Sequence, residues 1–249
     1  MKAFLLAAGT GTRLRPLTQR RPKCLMPVAG KPLLDYWLSL CQRHGIDEVL
    51  INVHHHADQV REFVAARTSD ALRIRLFPEE RLLGSGGTLA ANSDFVRREQ
   101  EFLVLYADNL SNVNIEALVR FHHTHDGPVT MGLFHAAVPQ QCGIVEVDQE
   151  GRVHSFEEKP NRPRSDLASA GVMVMEPEVY GLFPGTRTFD LGHDVLPRLA
   201  GRMYGQVIEE YLQDIGTLEK YLDALREWRG FEDSRAGSGP GRQVTGETP

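Results

Sequence analysis

The stretch 5-LLAAGTGTRLRPLTQRRPK-23 decides how the rest of the chain is read. It continues an apolar run that starts after Lys2 and closes at Ala8. A continuous run of this length, stopped by glycine, reads as a buried strand. The strand gives way to a loop in which Gly9 and Gly11 alternate with Thr10 and Thr12, and then come Arg13, Arg15, Arg20, Arg21 and Lys23. Small residues after a strand let backbone N–H groups approach a phosphate closely. Arginine adds a planar, always-charged fork that fits phosphate oxygens. The loop therefore has the make-up of a polyphosphate site. It is not a dinucleotide fingerprint, because Leu14 stands where a third glycine belongs, and it is not a Walker loop, because no GKS or GKT follows. Taken alone, the glycine pair fits an ordinary strand-to-helix turn with solvated arginines equally well.

Outward from this stretch, strands and helices alternate. Pro32 opens a helix whose inner face carries Leu33, Leu34, Trp37, Leu38 and Cys41, and Gly45 ends it. Strands are expected at 48–53, 72–77 and 102–106, with helices over 57–67, after GSGGT at 84–88, and over 114–125 with Asn114 as N-cap. This order requires crossovers and a mostly parallel, Rossmann-like sheet flanked by helices. After residue 127 the pattern changes to short strands, VTMGLF, GIVEVD, RVHSFE and VMVME, with helices expected at 177–183, 191–200 and 217–228. The chain reads as one α/β domain over 1–230. Residues 1–127 form a nucleotide-type half, and 128–230 form a mixed β extension for a second substrate. Residues 231–249, rich in glycine with two prolines, read as a disordered tail. Ligands of open sheets lie beyond the carboxyl ends of the strands. The opening loop and Asp108, after FLVLY, both fall there.

The 249 residues are 41% hydrophobic and 24% charged, with a net charge of −5. That balance is globular, and the overall sign argues against nucleic acid as a partner. Cys24, Cys41 and Cys142 form no CxxC pair and no disulfide framework. MKAFLLAAG is too short and glycine-interrupted for a signal peptide, and no apolar run reaches the ~18 residues of a spanning helix. A cytoplasmic protein without a membrane partner is expected.

The longer string LAAGTGTRLRPLT, followed by RPKCLMPVAGKPLLDYWL, resembles the signature of the sugar-1-phosphate nucleotidyltransferases, the NDP-sugar pyrophosphorylases. Roughly twenty spaced positions agree. The likeness continues to about residue 228 through LLGSGGTLA, YADN, FEEKP, SAGV and LQDIGTLEKYLDA. It covers a catalytic domain only, of the nucleotide-diphospho-sugar transferase type. The resemblance implies that a nucleoside triphosphate and a sugar 1-phosphate give a nucleotide-sugar and pyrophosphate. A phosphate oxygen already ionised at neutral pH is the nucleophile, so the work is positioning and charge neutralisation.

The same resemblance implies the roles of individual residues. Arg13 and Lys23 act on the phosphates, and Asp108 with Asp214 holds Mg²⁺. Ala7, Ala8, Gly9, Gly11 and Thr12 line the nucleotide, with Gly84 and Gly86 opposite and Glu79 at the base edge. Gly143, Glu158, Lys159 and Gly171 take the sugar phosphate. Ser169 stands where the family often has asparagine, which puts one sugar contact in doubt. A carboxylate at Glu79 suits the two neighbouring donors of guanine, so GTP with a manno-configured hexose or heptose 1-phosphate is favoured. UTP, dTTP or ATP with glucose 1-phosphate or another sugar 1-phosphate stays open. A phosphocholine cytidylyltransferase shares the opening motif, but FEEKP and SAGV favour a sugar. A catalytically silent nucleotide-sugar-binding subunit is the rival of another class, and a homo-oligomer is compatible with either. The run His54-His55-His56 reads as a loop beside the site, and His122, His123 and His125, at a helix end where imidazole suits the dipole, read as structural or solvated groups. Lys23 beside Cys24 is expected to lower the thiol's pKa.

Overall fold

The computed structural model describes residues 1–67 and 71–231. Strand β1 (Lys2–Leu6) holds the centre, with Ala3, Phe4 and Leu5 fully buried. A two-residue hairpin follows, β2 (Pro27–Val28) with β3 (Lys31–Pro32), and then α1 (Leu33–Arg43). The first half continues with β4 (Glu48–Val53), α2 (Ala57–Ala65), β5 (Arg73–Pro78), α3 (Gly84–Ala91), α4 (Ser93–Val96), β6 (Phe102–Tyr106), β7 (Asn109–Ser111) and α5 (Ile115–His122). The second half contains β8 (Val129–His135), β9 (Gly143–Val147), β10 (Val153–Glu158), β11 (Leu167–Met175), β12 (Met203–Val207), β13 (Leu212–Asp214) and α6 (Leu218–Glu227).

The main sheet runs β10-β9-β11-β6-β1-β4-β5, with β8 and β12 joined through β11. Strands β6, β1, β4 and β5 are parallel and in register, so Leu6 lies beside both Asn52 and Tyr106. Successive side chains of a strand face opposite ways. Ala3 and Leu5 accordingly join the core under α1 with Leu14, Trp37 and Leu38, while Phe4 joins the core on the other face with Leu89, Phe102 and Leu191. Chain order reverses at β1, where β4 lies on one side and β6 on the other. Loops leaving β1 and β6 diverge there and open a crevice.

Strand β11 joins the two halves. Its Val172–Met175 portion pairs with β6, whereas Ala168 pairs with Ile144 of β9. The change of neighbour falls at Gly171, whose φ of +69° favours glycine.

Asn114 caps α5 by accepting from Ala117 N–H at 3.0 Å, as its position predicts. Two expected helices take other forms. The segment Pro177–Leu182 is a 3₁₀ helix, and 191–200 divides into a π turn at Leu191–Val195 and a 3₁₀ turn at Leu196–Leu199. Proline at 197 has no N–H to continue an α ladder, and prolines at 177 and 184 bracket the other segment. Of the tail expected over 231–249, Phe231 alone is described. Phe231 packs on Tyr36 and Trp228 at ring-centroid distances of 5.7 and 5.9 Å, under the Arg43 guanidinium. The remaining residues, 232–249, lie outside the described residues. Among those described, no helix is long and apolar enough to cross a membrane.

Candidate active site

A cavity of about 500 Å³ occupies the crevice between the ends of β1 and β6. Ala7, Ala8, Gly9, Gly11, Thr12, Arg13 and Lys23 line one side, Glu79, Leu82, Gly84 and Ser85 the opposite side, and Tyr106 and Asp108 the end. Gly11 takes φ +61°, and an added Cβ would lie 2.9 Å from Thr18 Cγ2, so the loop needs glycine there. Thr18 is buried and donates its hydroxyl to Gly11 O at 2.7 Å.

Lys23 links the parts of the chain that sequence separates. Its Nζ donates to Asp108 Oδ2 at 3.0 Å and to Asp214 Oδ1 at 2.9 Å. The two aspartates meet because β13 pairs antiparallel with β7, setting Asp214 across from Asn109. Asp214 therefore closes a strand, and Thr217 is the cap of α6. Lys220, one turn into α6, donates to Asp214 Oδ2 at 3.3 Å. Burial pushes the Asp214 carboxyl up, but Lys23 and Lys220 outweigh it and hold the pKa below the usual range. Gly216 must stay bare, since a Cβ would lie 2.8 Å from Asp214 Oδ1 and 3.0 Å from Arg13 Nη2. The donor set fits Mg²⁺, a hard ion that takes one or two carboxylates and leaves its other positions to phosphate and water. Among the described residues no three His, Cys, Asp or Glu side chains gather as a self-contained metal cage.

At Glu79, Ala7 and Gly86 the protein itself takes up polar groups assigned to the nucleotide. Glu79 is buried and already engaged: Oε1 accepts from Asn52 Nδ2 at 2.8 Å and Thr88 Oγ1 at 2.5 Å, and Oε2 from Leu83 N at 3.0 Å. Asn52 in turn accepts the Ala7 N–H at 2.7 Å, so Ala7 offers no free donor. Gly86 does not line the cavity: its N–H bonds to Phe189 O at 3.1 Å, and a Cβ would strike the Phe189 ring. The glycines of this loop let α3 begin against the segment 187–190. Asp190 Oδ1 takes the Ser85 N–H at 3.0 Å, which leaves an acid at this helix start rather than an anion site.

Gly143, Glu158, Lys159 and Gly171 lie outside the cavity lining, next to its carboxylate end. Glu158 pairs with Lys159 at 3.2 Å, and its Oε2 would lie 2.8 Å from a Cβ on Gly143. Gly171 faces the Tyr106 ring, whose hydroxyl is pushed up by burial, with Asp190, Glu158 and Asp108 adding to the rise. Asn109 Nδ2 donates to Ala170 O at 2.9 Å, tying the Asp108 turn to β11. Cys142 is raised by burial, with Lys220, Asp214, Glu158 and Lys159 acting on it in that order. Those charges surround one thiol, so the sugar-side set and the carboxylate end are neighbours.

Arg15, Arg20 and Arg21 are exposed, in keeping with solvated cations. Burial pushes the Cys24 thiol up to about 12, overriding any effect of Lys23. His122 is buried and bonded to Thr130 Oγ1 at 2.8 Å, and burial with the neighbouring His125 and His123 lowers it to about 4. It is a neutral core group, not a cation at a helix dipole. Asn52, Thr88, Asp190 and Lys220 escape the sequence reading. A lone asparagine inside the apolar strand EVLINV is a visible signal; the other three carry none.

The cavity lies at the switch point of an open α/β sheet, where such folds take their ligands, and comparison with known proteins gives the family. The family profile described as nucleotidyl transferase matches residues 2–229. The chain belongs to that family. It is 32% identical over 98% of its length to the mannose-1-phosphate guanylyltransferase of Mycobacterium tuberculosis, and 30% identical over 91% to the UTP–glucose-1-phosphate uridylyltransferase of Synechocystis sp.. It spans 67% and 63% of those two relatives. The crystal structure of HddC from Yersinia pseudotuberculosis complexed with GMP-PN superposes with a TM-score of 0.76 at 21% identity, covering 90% of this chain and 98% of that one. At that identity the likeness concerns the fold.

Proposed function

We propose that this chain transfers a nucleotidyl group from a nucleoside triphosphate to a sugar 1-phosphate, releasing pyrophosphate. The observation that carries this is Lys23, held between Asp108 and Asp214 at the end of a glycine-lined cavity. Residues 1–230 act as one catalytic unit, with the nucleotide mainly on 1–127 and the sugar mainly on 128–230.

An oxygen of the sugar phosphate attacks the α-phosphorus in line. The new P–O bond forms as the bond to the β-phosphate oxygen breaks, and its electron pair leaves with pyrophosphate. No side chain has to take a proton from an already ionised nucleophile. Arg13 offsets charge on the departing pyrophosphate. Lys23 turns from the carboxylates to the α-phosphate, and Lys220 remains as the counter-charge of Asp214. Lys159 holds the sugar phosphate, while Glu158 accepts from sugar hydroxyls. Gly171 and Gly143 let backbone approach. Asp108 and Asp214 would hold Mg²⁺, which when bound supplies neutralising charge and polarises the α-phosphate.

The nucleotide we favour is GTP and the sugar phosphate manno-configured. The 32% identity with a mannose-1-phosphate guanylyltransferase is compatible with this, and a uridylyl relative at 30% and a thymidylyl relative at 33% keep UTP or dTTP with glucose 1-phosphate as competitors. Glu79 contributes to base choice mainly by holding the wall, since three donors already occupy it. The test is pyrophosphate release from a panel of nucleoside triphosphates crossed with sugar 1-phosphates. Turnover with GTP and mannose 1-phosphate above all other pairs is expected. A faster pair with another base or another sugar 1-phosphate overturns the specificity, and nucleotide binding without turnover on any pair overturns the activity.

A further inference from the structure

The run His54-His55-His56 leaves β4 beside the cavity and has no part in the chemistry above. Each imidazole meets a backbone carbonyl. His54 Nδ1 lies 2.7 Å from Glu79 O, His55 Nε2 lies 3.0 Å from Thr18 O, and His56 Nε2 lies 3.0 Å from Gln19 O. Gln59, in the first turn of α2, adds Nε2 to Arg20 O at 2.9 Å. A carbonyl only accepts, so each contacted ring nitrogen must carry the proton. The tautomers follow: the proton is on Nδ1 in His54 and on Nε2 in His55 and His56.

These carbonyls belong to two different walls. Thr18, Gln19 and Arg20 lie on the cationic loop, and Thr18 passes the restraint on through its bond to Gly11, two residues before Arg13. Glu79 lies on the facing wall and holds Asn52, Thr88 and the Leu83 N–H. His56 keeps φ +53°, a conformation that costs a non-glycine residue energy. Its ring lies 4.0 Å from that of His55. Surrounding contacts have to maintain such a backbone, and here those contacts are the carbonyls of the loop.

We infer that His54, His55 and His56 are positioning residues, a clamp of imidazole donors that fixes both loops bounding the nucleotide cavity before the triphosphate arrives. The inference rests on the nucleotide-binding role proposed above. Pre-ordering the loops removes an entropic cost from binding. Neutral and protonated imidazoles both donate from these nitrogens, so the clamp works in either charge state.

The test compares His55→Leu/His56→Leu with His55→Gln/His56→Gln, whose amide N–H groups restore the donors. Three quantities are measured on the ligand-free full chain and its variants: amide hydrogen exchange across residues 9–23, triphosphate affinity by calorimetry, and the melting midpoint. The leucine pair is expected to exchange about tenfold faster in that segment and to bind triphosphate about tenfold more weakly, with the melting midpoint close to wild type. The glutamine pair is expected to recover most of both. Unchanged exchange in the leucine pair overturns the clamp, as does a glutamine pair no better than the leucine pair. Should the leucine pair not fold, nitrogen-15 NMR of wild type decides, because an unprotonated Nδ1 on His54, or an unprotonated Nε2 on His55 or His56, contradicts the clamp. A wild-type chain that binds no triphosphate would sink the nucleotide reading instead, and exchange would still judge the clamp.

Discussion

Lys23 is the side chain on which the site turns. It is 7% exposed, and a buried ammonium persists only when paired. Its partners come from positions 85 and 191 residues away in sequence. Two variants test separate roles, one at a partner of Lys23 and one on the exposed Lys159. Asp108→Ala is expected to lower turnover by about a thousandfold while the far-ultraviolet circular dichroism stays that of wild type. Lys159→Ala, exposed and outside the cavity, is expected to raise KM for the sugar 1-phosphate about tenfold with a much smaller change for the triphosphate. Initial-rate pyrophosphate assays measure both. Equal losses for the two substrates in Lys159→Ala would place that side chain on the wrong side. The motif identities of Arg13, Lys23, Asp108 and Asp214 were legible in the sequence. The second ammonium on Asp214 was not, because a lysine one turn into an amphipathic helix looks like any solvated lysine.

At the scale of elements, β11 sets the relation between the halves. Strand β8 pairs with both its parts along one edge, while the partner on the other edge changes from β9 in the first part to β6 in the second. Gly171 makes the bend, and a Cβ there would lie 2.9 Å from Tyr106 Cδ2 and 3.0 Å from Tyr106 Cβ. Gly171→Ala is therefore expected to cost about 1–3 kcal/mol through left-handed strain and collision. Thermal melting should register that loss, and turnover should fall with it because Tyr106 lines the cavity. A variant with unaltered melting would mean that β11 bends without needing glycine. Periodicity located β1, β4, β6, α1 and α5 because each buries one long apolar pattern. It missed β7 and β13, three residues each, whose pairing brings Asp108 and Asp214 together. Three-residue strands carry too little pattern to read.

For the whole molecule, the buried histidines set a pH response. Folded His122 titrates near 4 against an ordinary 6.5, so between those values the unfolded chain binds a proton that the folded chain refuses. His125 is lowered as well, by burial ahead of the partly opposed effects of Asp126 and Arg152. Stability from His122 is present above 6.5 and is lost as pH falls toward 4, and the lowered His125 acts in the same direction. Glu101 and Glu176 lie 3.9 and 3.6 Å from His122 Nε2, and its pKa stays lowered beside them. Melting midpoints across that window should fall with acid, and His122→Gln should flatten the slope. An unchanged slope in the variant would show that His122 is charged when folded.

The sequence by itself determined the α/β class, the glycine loop with its cations, and the identity of the charged residues. Those features rest on local backbone freedom, on apolar periodicity and on motifs of fixed spacing, all of which are written along the chain. Only the tertiary structure decided that Lys23 bridges both aspartates, that Glu79 and Gly86 spend their hydrogen bonds on the protein, and that three consecutive histidines grip two separate loops. Such facts depend on which strands become neighbours. Hydrogen bonds act over a few ångströms of space, and chain distance does not encode which groups will come that close.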